Sequence, residues 1–336
     1  MNNIFRIMIV IFFSMIVLCG CKEKTNSVVV ETEKLNITAT FFPPYDFIRQ
    51  ITGDRVNLIM LLSPGTESHS FEPSPRDIIT IRNSDIFIYN GGEADSWVDK
   101  ILESTDTENM KIFTLMEMVE VLEEEIVEGM EQDPADCNEC EHHHHHHRHE
   151  QTHEHSIENV ELDEHVWTSP KNAILIVRQL VEILGELDAV NADFYHENAL
   201  KYIEALEKLD ESFDEVISKA TRRTIVFGDR FPFRYLAYHY GLEYFAAFPG
   251  CSTETEPSAQ TVAFLINKIR TEQIPVVFHI ELSNERMANT ISQETGAKKL
   301  LLHSAHNVTR NDFEAGITYL ELMKRNLVNL NEALLH

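Results

Sequence analysis

The sequence predicts an α/β fold made of two βα lobes, each a parallel sheet flanked by helices, joined by one long rigid helix. The main observation is that short apolar, β-rich runs alternate with helical stretches in the first half of the chain, and that the second half repeats this pattern. Strands that alternate with helices form βαβ units on a mainly parallel sheet. Between the two halves lies a stretch of 29 residues without Gly or Pro, which predicts the connecting helix.

Residues 1–21 have the pattern of a signal peptide. Arg6 precedes an apolar run over residues 7–18, which is too short to span a bilayer as a helix. The run ends in Leu18-Cys19-Gly20-Cys21, which resembles a bacterial lipobox in which Cys21 is lipidated and becomes the first mature residue. The alternative is an ordinary cleaved signal with incidental cysteines. Residues 22–34 are mostly polar, as expected of a tether from a membrane anchor.

The first predicted lobe covers residues 35–168. Its strands are rich in β-branched and aromatic residues and are bounded by turn residues, whereas its helices have apolar residues at helical spacing. The predicted strands are Asn36 to Phe41, Val56 to Leu62, Ile86 to Asn90 and Lys111 to Leu115, and the helices are Asp46 to Thr52, Pro75 to Asn83 and Trp97 to Ser104.

An acidic block over residues 117–164 interrupts this lobe. It contains 17 acidic residues and one basic residue, within a chain whose formal net charge is −27. A block of this charge repels itself, so we expect much of it to be a solvated loop. The overall charge argues against nucleic-acid binding, which requires a basic surface, and it suits a protein that handles cations.

Two helices are predicted over residues 169–220, followed by a second lobe over residues 221–336. The longer helix, Asn191 to Lys219, would reach ~43 Å and cross a whole domain, so we interpret it as the connector between the lobes. The other elements are the linker helix Lys171 to Gly185, the strands Thr224 to Phe227, Tyr244 to Phe248, Pro275 to Ile280 and Lys299 to Leu302, and the helices Pro232 to Tyr240, Ser258 to Thr271, Asn284 to Thr295 and Asp312 to Leu335.

Three histidines from distant segments lie where loops should face a cleft between the lobes. His69 follows a strand of the first lobe, His165 follows the acidic block, and His303 ends a strand of the second lobe. Ligands of open α/β sheets sit beyond the carboxyl ends of the strands. We therefore expect the three imidazoles to converge on one metal ion, with Glu281 nearby at the end of another strand. A helix-capping role is the alternative for Glu281.

Several motifs resemble the zinc and manganese solute-binding lipoproteins of ABC importers. The most specific is the Gly-x-x-x-His-x-x-Glu-Pro-Ser-Pro-Arg-Asp pattern over residues 65–77, and the similarity covers almost the whole mature chain except the acidic insertion. The other matching stretches are Phe41-Phe42-Pro43-Pro44-Tyr45-Asp46, Asn90-Gly91-Gly92, Asp163 to Pro170 and Glu294-Thr295-Gly296-Ala297-Lys298.

The resemblance implies two lobes bridged by a long helix, with the metal held between them. It implies His69 and His165 as the first two ligands. The third family position falls at Arg230, which cannot ligate because a guanidinium stays protonated, and the fourth, commonly Asp, falls at His303. A water molecule, Asp229 or Glu281 could complete the shell. Alternatively, Arg230 could pair with Glu281.

Zinc is the expected ion because imidazole suits Zn²⁺, whereas carboxylates suit Mn²⁺. In zinc-type members of the resembling family, a His-rich loop at the cleft mouth is thought to gather or sense metal. Here the corresponding auxiliary histidines are His142, His143, His144, His145, His146, His147, His149, His153 and His155. Cys137 and Cys140 could form a local disulfide or add soft ligands to this loop. We expect Cys251 to be a packed core residue, and the alternative is a position near the metal.

We therefore expect a lipid-anchored, extracytoplasmic, monomeric receptor that passes Zn²⁺ to an ABC-type metal permease, and not an enzyme. One rival is a Mn²⁺ or Fe²⁺ receptor on the same scaffold. A second is a zinc hydrolase, because residues 149–153 match the His-Glu-x-x-His pattern. That chemistry needs a rigid, buried helix, and this segment is polar on every side. A third is an adhesin whose metal is structural.

Overall fold

The computed structural model describes residues 34–66, 71–130, 161–250, 252 and 257–335. The predicted signal peptide with Cys21, nearly all of the tether, His69 and residues 137–155 lie outside these described residues. The first sheet has the strand order β2-β1-β3-β4, and all its neighbours are parallel. Its strands are β1 Asn36–Ala39, β2 Asn57–Met60, β3 Ile86–Tyr89 and β4 Lys111–Thr114.

Three helices flank the first sheet: α1 Phe42–Thr52, α2 Pro75–Arg82 and α3 Ser96–Glu103. Helix α1 begins four residues before its predicted start because two prolines occupy its first turn, where their missing N–H groups cost nothing. Helix α2 begins with a capping box in which Ser74 and Asp77 bind each other's backbone N–H groups.

The linker consists of α4 Pro170–Leu187 and α5 Ala192–Lys219. The second sheet contains β5 Thr224–Phe231, β6 Glu243–Pro249, β7 Val276–His279 and β8 Lys298–Leu301 in the parallel order β6-β5-β7-β8. Its helices are α6 Arg234–Tyr240, α7 Ala259–Glu272, α8 Arg286–Thr295, α9 Arg310–Glu314 and α10 Tyr319–Leu335.

The C-terminal helix differs from its prediction. The sequence pattern predicts one helix from Asp312 to Leu335, whereas the structure has two helices separated by a turn. The turn contains Gly316 at φ 77°, a backbone conformation that glycine adopts without strain and that ends a helix. The break lets the second helix restart at Tyr319.

The long helix α5 packs against both lobes. It contacts α1 of the first lobe and α10 of the second, and it buries a stripe that includes Tyr195, Leu206 and Phe213. Its 28 residues correspond to about 42 Å. The two parallel α/β lobes and the long helix confirm the predicted fold class. None of the helices in the described residues is both long and apolar enough to cross a membrane.

The loops at the carboxyl ends of the two sheets contact one another. The Gly65 N–H donates to the carbonyl of Val308 at 2.7 Å, and the Trp167 indole N–H donates to the carbonyl of Ser304 at 2.8 Å. These bonds join loops of the first lobe to the segment that follows β8. The strand ends of both sheets therefore enclose a shared space.

Candidate metal centre

A small cavity lies in this shared space. About 40 Å³ of it is open to water, which is enough for an ion with one or two water molecules. The polar residues that line it include Thr66, His165, Arg230, Glu281, Ser304 and His306. The cavity therefore combines two imidazoles, one carboxylate and one guanidinium.

His165 is held at the end of an antiparallel pair formed by the two described ends of the acidic block. The Glu124 N–H donates to the carbonyl of Glu161, and the Asp163 N–H donates to the carbonyl of Leu122. His165 is 2% exposed, and its Nδ1 lies 3.3 Å from the Asp163 carboxylate. A carboxylate at Nδ1 is the arrangement that orients metal-binding histidines, and it leaves Nε2 as the nitrogen that could coordinate an ion.

The carboxyl group of Glu164, the residue before His165, is fixed by the turn after β3. It accepts the backbone N–H groups of Glu93 and Ala94, the latter at 3.1 Å. Burial raises the pKa of Glu164 to about 7, and the nearby His165 opposes this shift. A Cβ at Gly92 would collide with the Glu164 side chain, so this turn requires glycine. The turn that begins with Asn90-Gly91-Gly92 thus fixes Glu164, which directly precedes His165, the second predicted ligand.

His306 is the cavity histidine that the sequence analysis missed. Its ring lies 6.3 Å from the ring of His165 at an interplanar angle of 80°, and it packs edge-on against Phe41 at 5.0 Å and Trp167 at 4.9 Å. The available signal was the His-x-x-His spacing after the last strand, which offers a second imidazole three residues beyond His303.

His303 is buried but is not among the residues that line the cavity. Its Nδ1 accepts the Ala305 N–H at 2.9 Å, and its backbone N–H and carbonyl both bind the amide of Asn326 at 2.7 Å. Its Nδ1 lies 3.5 Å from Glu281. In this structure His303 therefore holds the turn after β8 together.

The two predicted carboxylate candidates differ in position. Glu281 lines the cavity and accepts two hydrogen bonds from Ser304. Asp229 accepts the backbone N–H of Arg230 at 2.9 Å and that of Ile280 at 3.4 Å, so it ties the ends of β5 and β7 together. The Arg230 guanidinium donates to the carbonyl of Ser252 at 3.3 Å, whereas the contacts of Glu281 are with Ser304 and His303.

Within the described ranges, no three His, Cys, Asp or Glu side chains lie close enough together to hold a metal ion. The first predicted ligand, His69, falls outside those ranges, as do Cys137, Cys140, Cys251 and the auxiliary histidines. Their metal-binding or packing roles stay predictions. The described part of the site supplies two imidazoles, His165 and His306, on opposite lobes.

Two parallel α/β lobes, a long helix that packs on both, and a cavity between their strand ends define a helix-linked, two-lobed binding protein. Comparison with known proteins identifies the family within this class. Residues 37–333 match the family model described as "ZnuA: Zinc-uptake complex component A periplasmic", so the chain belongs to this family.

Relatives and solved structures agree with this membership. The chain is 33% identical over 299 residues to the zinc-binding lipoprotein AdcA of Streptococcus pneumoniae, covering 89% of this chain and 56% of AdcA. It is 29% identical over 323 residues to the high-affinity zinc uptake system protein ZnuA of Bacillus subtilis, covering 96% and 95%. The Zn(II)-bound ZnuA-like domain of S. pneumoniae AdcA superposes with a TM-score of 0.70 at 30% identity, covering 90% and 100%. The chain thus spans a little over half the length of AdcA.

Proposed function

We propose that this chain is an extracytoplasmic receptor that captures Zn²⁺ between its lobes and delivers it to an ABC-type metal permease. The observation that carries the proposal is the pair His165 and His306, whose rings lie 6.3 Å apart in the wall of one cavity between the lobes. The relatives named as zinc-binding proteins support the choice of ion. Binding and release, without covalent chemistry, are all that this function requires.

The proposed ligands are His69, His165 and His306, with a water molecule in the fourth position. Two imidazoles that share a tetrahedral zinc at about 2.0–2.1 Å have ring centres roughly 5 Å apart. The observed 6.3 Å needs to close by about 1 Å. We place His303 outside the ligand set because its Nδ1 accepts the Ala305 N–H and its side chain is not in the cavity wall.

The remaining parts of the proposal concern the residues around this core. We propose that Cys21 carries a lipid that anchors the protein to the membrane, that the nine auxiliary histidines of residues 142–155 collect zinc with low affinity, and that the protein acts as a monomer. Three imidazoles favour Zn²⁺ over Mn²⁺, because nitrogen donors suit zinc and oxygen donors suit manganese.

Calorimetric titration of the metal-free mature chain tests this function. We expect one tight zinc site in the parent protein, and a loss of roughly 100-fold or more in affinity for His165→Ala and His306→Ala. The matched control is His303→Asn, whose amide oxygen can still accept the Ala305 N–H; it should bind zinc as the parent does. Preference for Mn²⁺ in competition would favour the manganese receptor, and an unchanged affinity in His306→Ala would contradict the proposed ligand set.

Deletion of residues 137–155 separates a receptor from a hydrolase. The deletion removes the auxiliary histidines and the His-Glu-x-x-His match together. A receptor keeps its tight zinc site and loses only weak sites, because the proposed ligands lie elsewhere. A hydrolase that uses His149 and His153 would lose peptidase activity, so any activity of the parent that disappears in the deletion would contradict the proposal.

A further inference from the structure

Glu281 has both carboxylate oxygens engaged by one residue. The Ser304 N–H donates to Oε2 at 2.7 Å, and the Ser304 hydroxyl donates to Oε1 at 2.5 Å. The side chain of Glu281 is 8% exposed, so water competes little for these bonds. Charge-assisted hydrogen bonds of this length are among the stronger ones in proteins. Through these two hydrogen bonds, Glu281 holds the segment that follows β8 in place.

The hydroxyl oxygen of Ser304 connects Glu281 to His306. The hydroxyl oxygen of Ser304, which donates to Glu281, also accepts the backbone N–H of His306 at 3.2 Å. Ala305, between these two residues, has φ 63°, a left-handed conformation that is strained for a residue with a Cβ. A turn with such a residue persists only where surrounding contacts hold it. Ser304 and Glu281 supply contacts of this kind.

The opposite side of the turn is fixed by the first lobe. The Trp167 indole N–H donates to the Ser304 carbonyl at 2.8 Å, and the Phe42 N–H donates to the His306 carbonyl at 3.4 Å. With its backbone held on both sides, the His306 ring packs against Phe41 and Trp167 and enters the cavity. The direction of the imidazole is thus set by groups outside the ring itself.

We propose that Glu281 is a positioning residue that holds the Ser304–His306 turn and aims the His306 imidazole at the metal, and that it is not itself a metal ligand. This inference rests on the proposed function, in which His306 binds zinc. Coordination through Glu281 would draw its carboxylate away from the Ser304 donors and leave the strained turn unsupported. Groups that orient a metal ligand typically change affinity by about 10–100-fold when removed.

The substitutions Glu281→Gln and Glu281→Ala separate positioning from coordination. The glutamine amide can accept the Ser304 N–H and donate to the Ser304 hydroxyl, so it keeps the turn but removes the anionic ligand. We expect the zinc affinity of Glu281→Gln to stay within about 3-fold of the parent, and that of Glu281→Ala to fall by about 10–100-fold. The visible absorption of the Co²⁺-loaded protein should be unchanged in Glu281→Gln, because the donor set is the same.

Two further variants complete the design. Ser304→Ala removes the link between Glu281 and His306 and should weaken zinc binding as Glu281→Ala does, even if the latter folds poorly. Glu285→Gln is the matched control: Glu285 lies in the same loop but is half-exposed and paired with Lys299, so this substitution should leave zinc affinity unchanged. An equal loss of zinc affinity in Glu285→Gln would mean that any change in this loop weakens binding, and it would overturn the inference.

The outcomes distinguish this inference from the function on which it rests. A 100-fold loss with an altered Co²⁺ spectrum in Glu281→Gln would make Glu281 a ligand and overturn the inference while leaving the zinc receptor intact. Unchanged affinity in both Glu281→Ala and Ser304→Ala would overturn it as well. Failure of the parent chain to bind zinc would overturn the proposed function and the inference together.

Discussion

The substitution Asn307→Ala should destabilise the protein and weaken its zinc site together. The Asn307 side chain is 2% exposed, and its amide nitrogen donates to the carbonyls of Ser63 at 2.9 Å and Thr66 at 2.8 Å. Its amide oxygen accepts the Val308 N–H at 2.8 Å. Three hydrogen bonds at about 1 kcal/mol each give an upper value of about 3 kcal/mol. Ser63 and Thr66 are exposed, so water can replace part of the loss, and we expect about 2 kcal/mol.

The substitution should also weaken zinc binding, because the loop that Asn307 holds continues into the segment with His69. Urea denaturation measures the stability change, and calorimetry should show zinc affinity reduced by about tenfold, the lower end of the effect expected for an orienting group. Asn307→Asp should be more destabilising, since a carboxylate would face two carbonyl oxygens. Exposed Asn311 provides the control, with Asn311→Ala within about 0.5 kcal/mol of the parent. A change below that value in Asn307→Ala would refute the reasoning.

Three other substitutions test separate parts of the structure. Ala305→Gly relieves a left-handed residue and should raise the free energy of unfolding by about 0.5–1 kcal/mol in urea denaturation. Gly228→Ala would place a Cβ 2.5 Å from the Ala288 Cα, so the same assay should show a loss of about 2 kcal/mol or more. Burial raises the pKa of Asp95 from 3.8 to about 6, so the folded state retains a proton that the unfolded state releases, and stability falls as pH rises from about 4 to 6. Thermal unfolding of Asp95→Asn should lack this fall, which is at most about 3 kcal/mol.

Most of the fold could be predicted because local signals and tertiary packing agree. Alternating strand and helix patterns give a parallel sheet in each half, and a long Gly-free stretch marks α5. The errors are at element ends. The predicted start of α1 at Asp46 is four residues too late, because the first turn of a helix accepts Pro43 and Pro44. The break at Gly316 had a sequence signal, but the apolar periodicity on both sides concealed it.

The site was less accessible to sequence reasoning than the fold. The location of His165 at the cleft follows from the order of strands and loops, and the structure places it in the cavity wall. His306 lies in the cavity wall and the predicted ligand His303 does not. The turn between them contains Ala305 in a left-handed conformation, for which the sequence gives no signal. The contact between Glu281 and Ser304 joins residues 23 positions apart, so only the folded chain brings them together.

The bonds between the lobes bear on how such a receptor can take up an ion. Arg49 donates to the carbonyl of Ile317 at 2.6 Å, and the buried Asp46 carboxylate accepts the Tyr319 N–H at 2.7 Å. A hinge that separated the lobes would break these bonds as well as those around the cavity, at about 1 kcal/mol each, and would uncover a buried carboxylate. The shift needed to bring the rings of His165 and His306 onto one zinc ion is only about 1 Å. Local adjustment of the cavity wall is therefore less costly than opening the lobes.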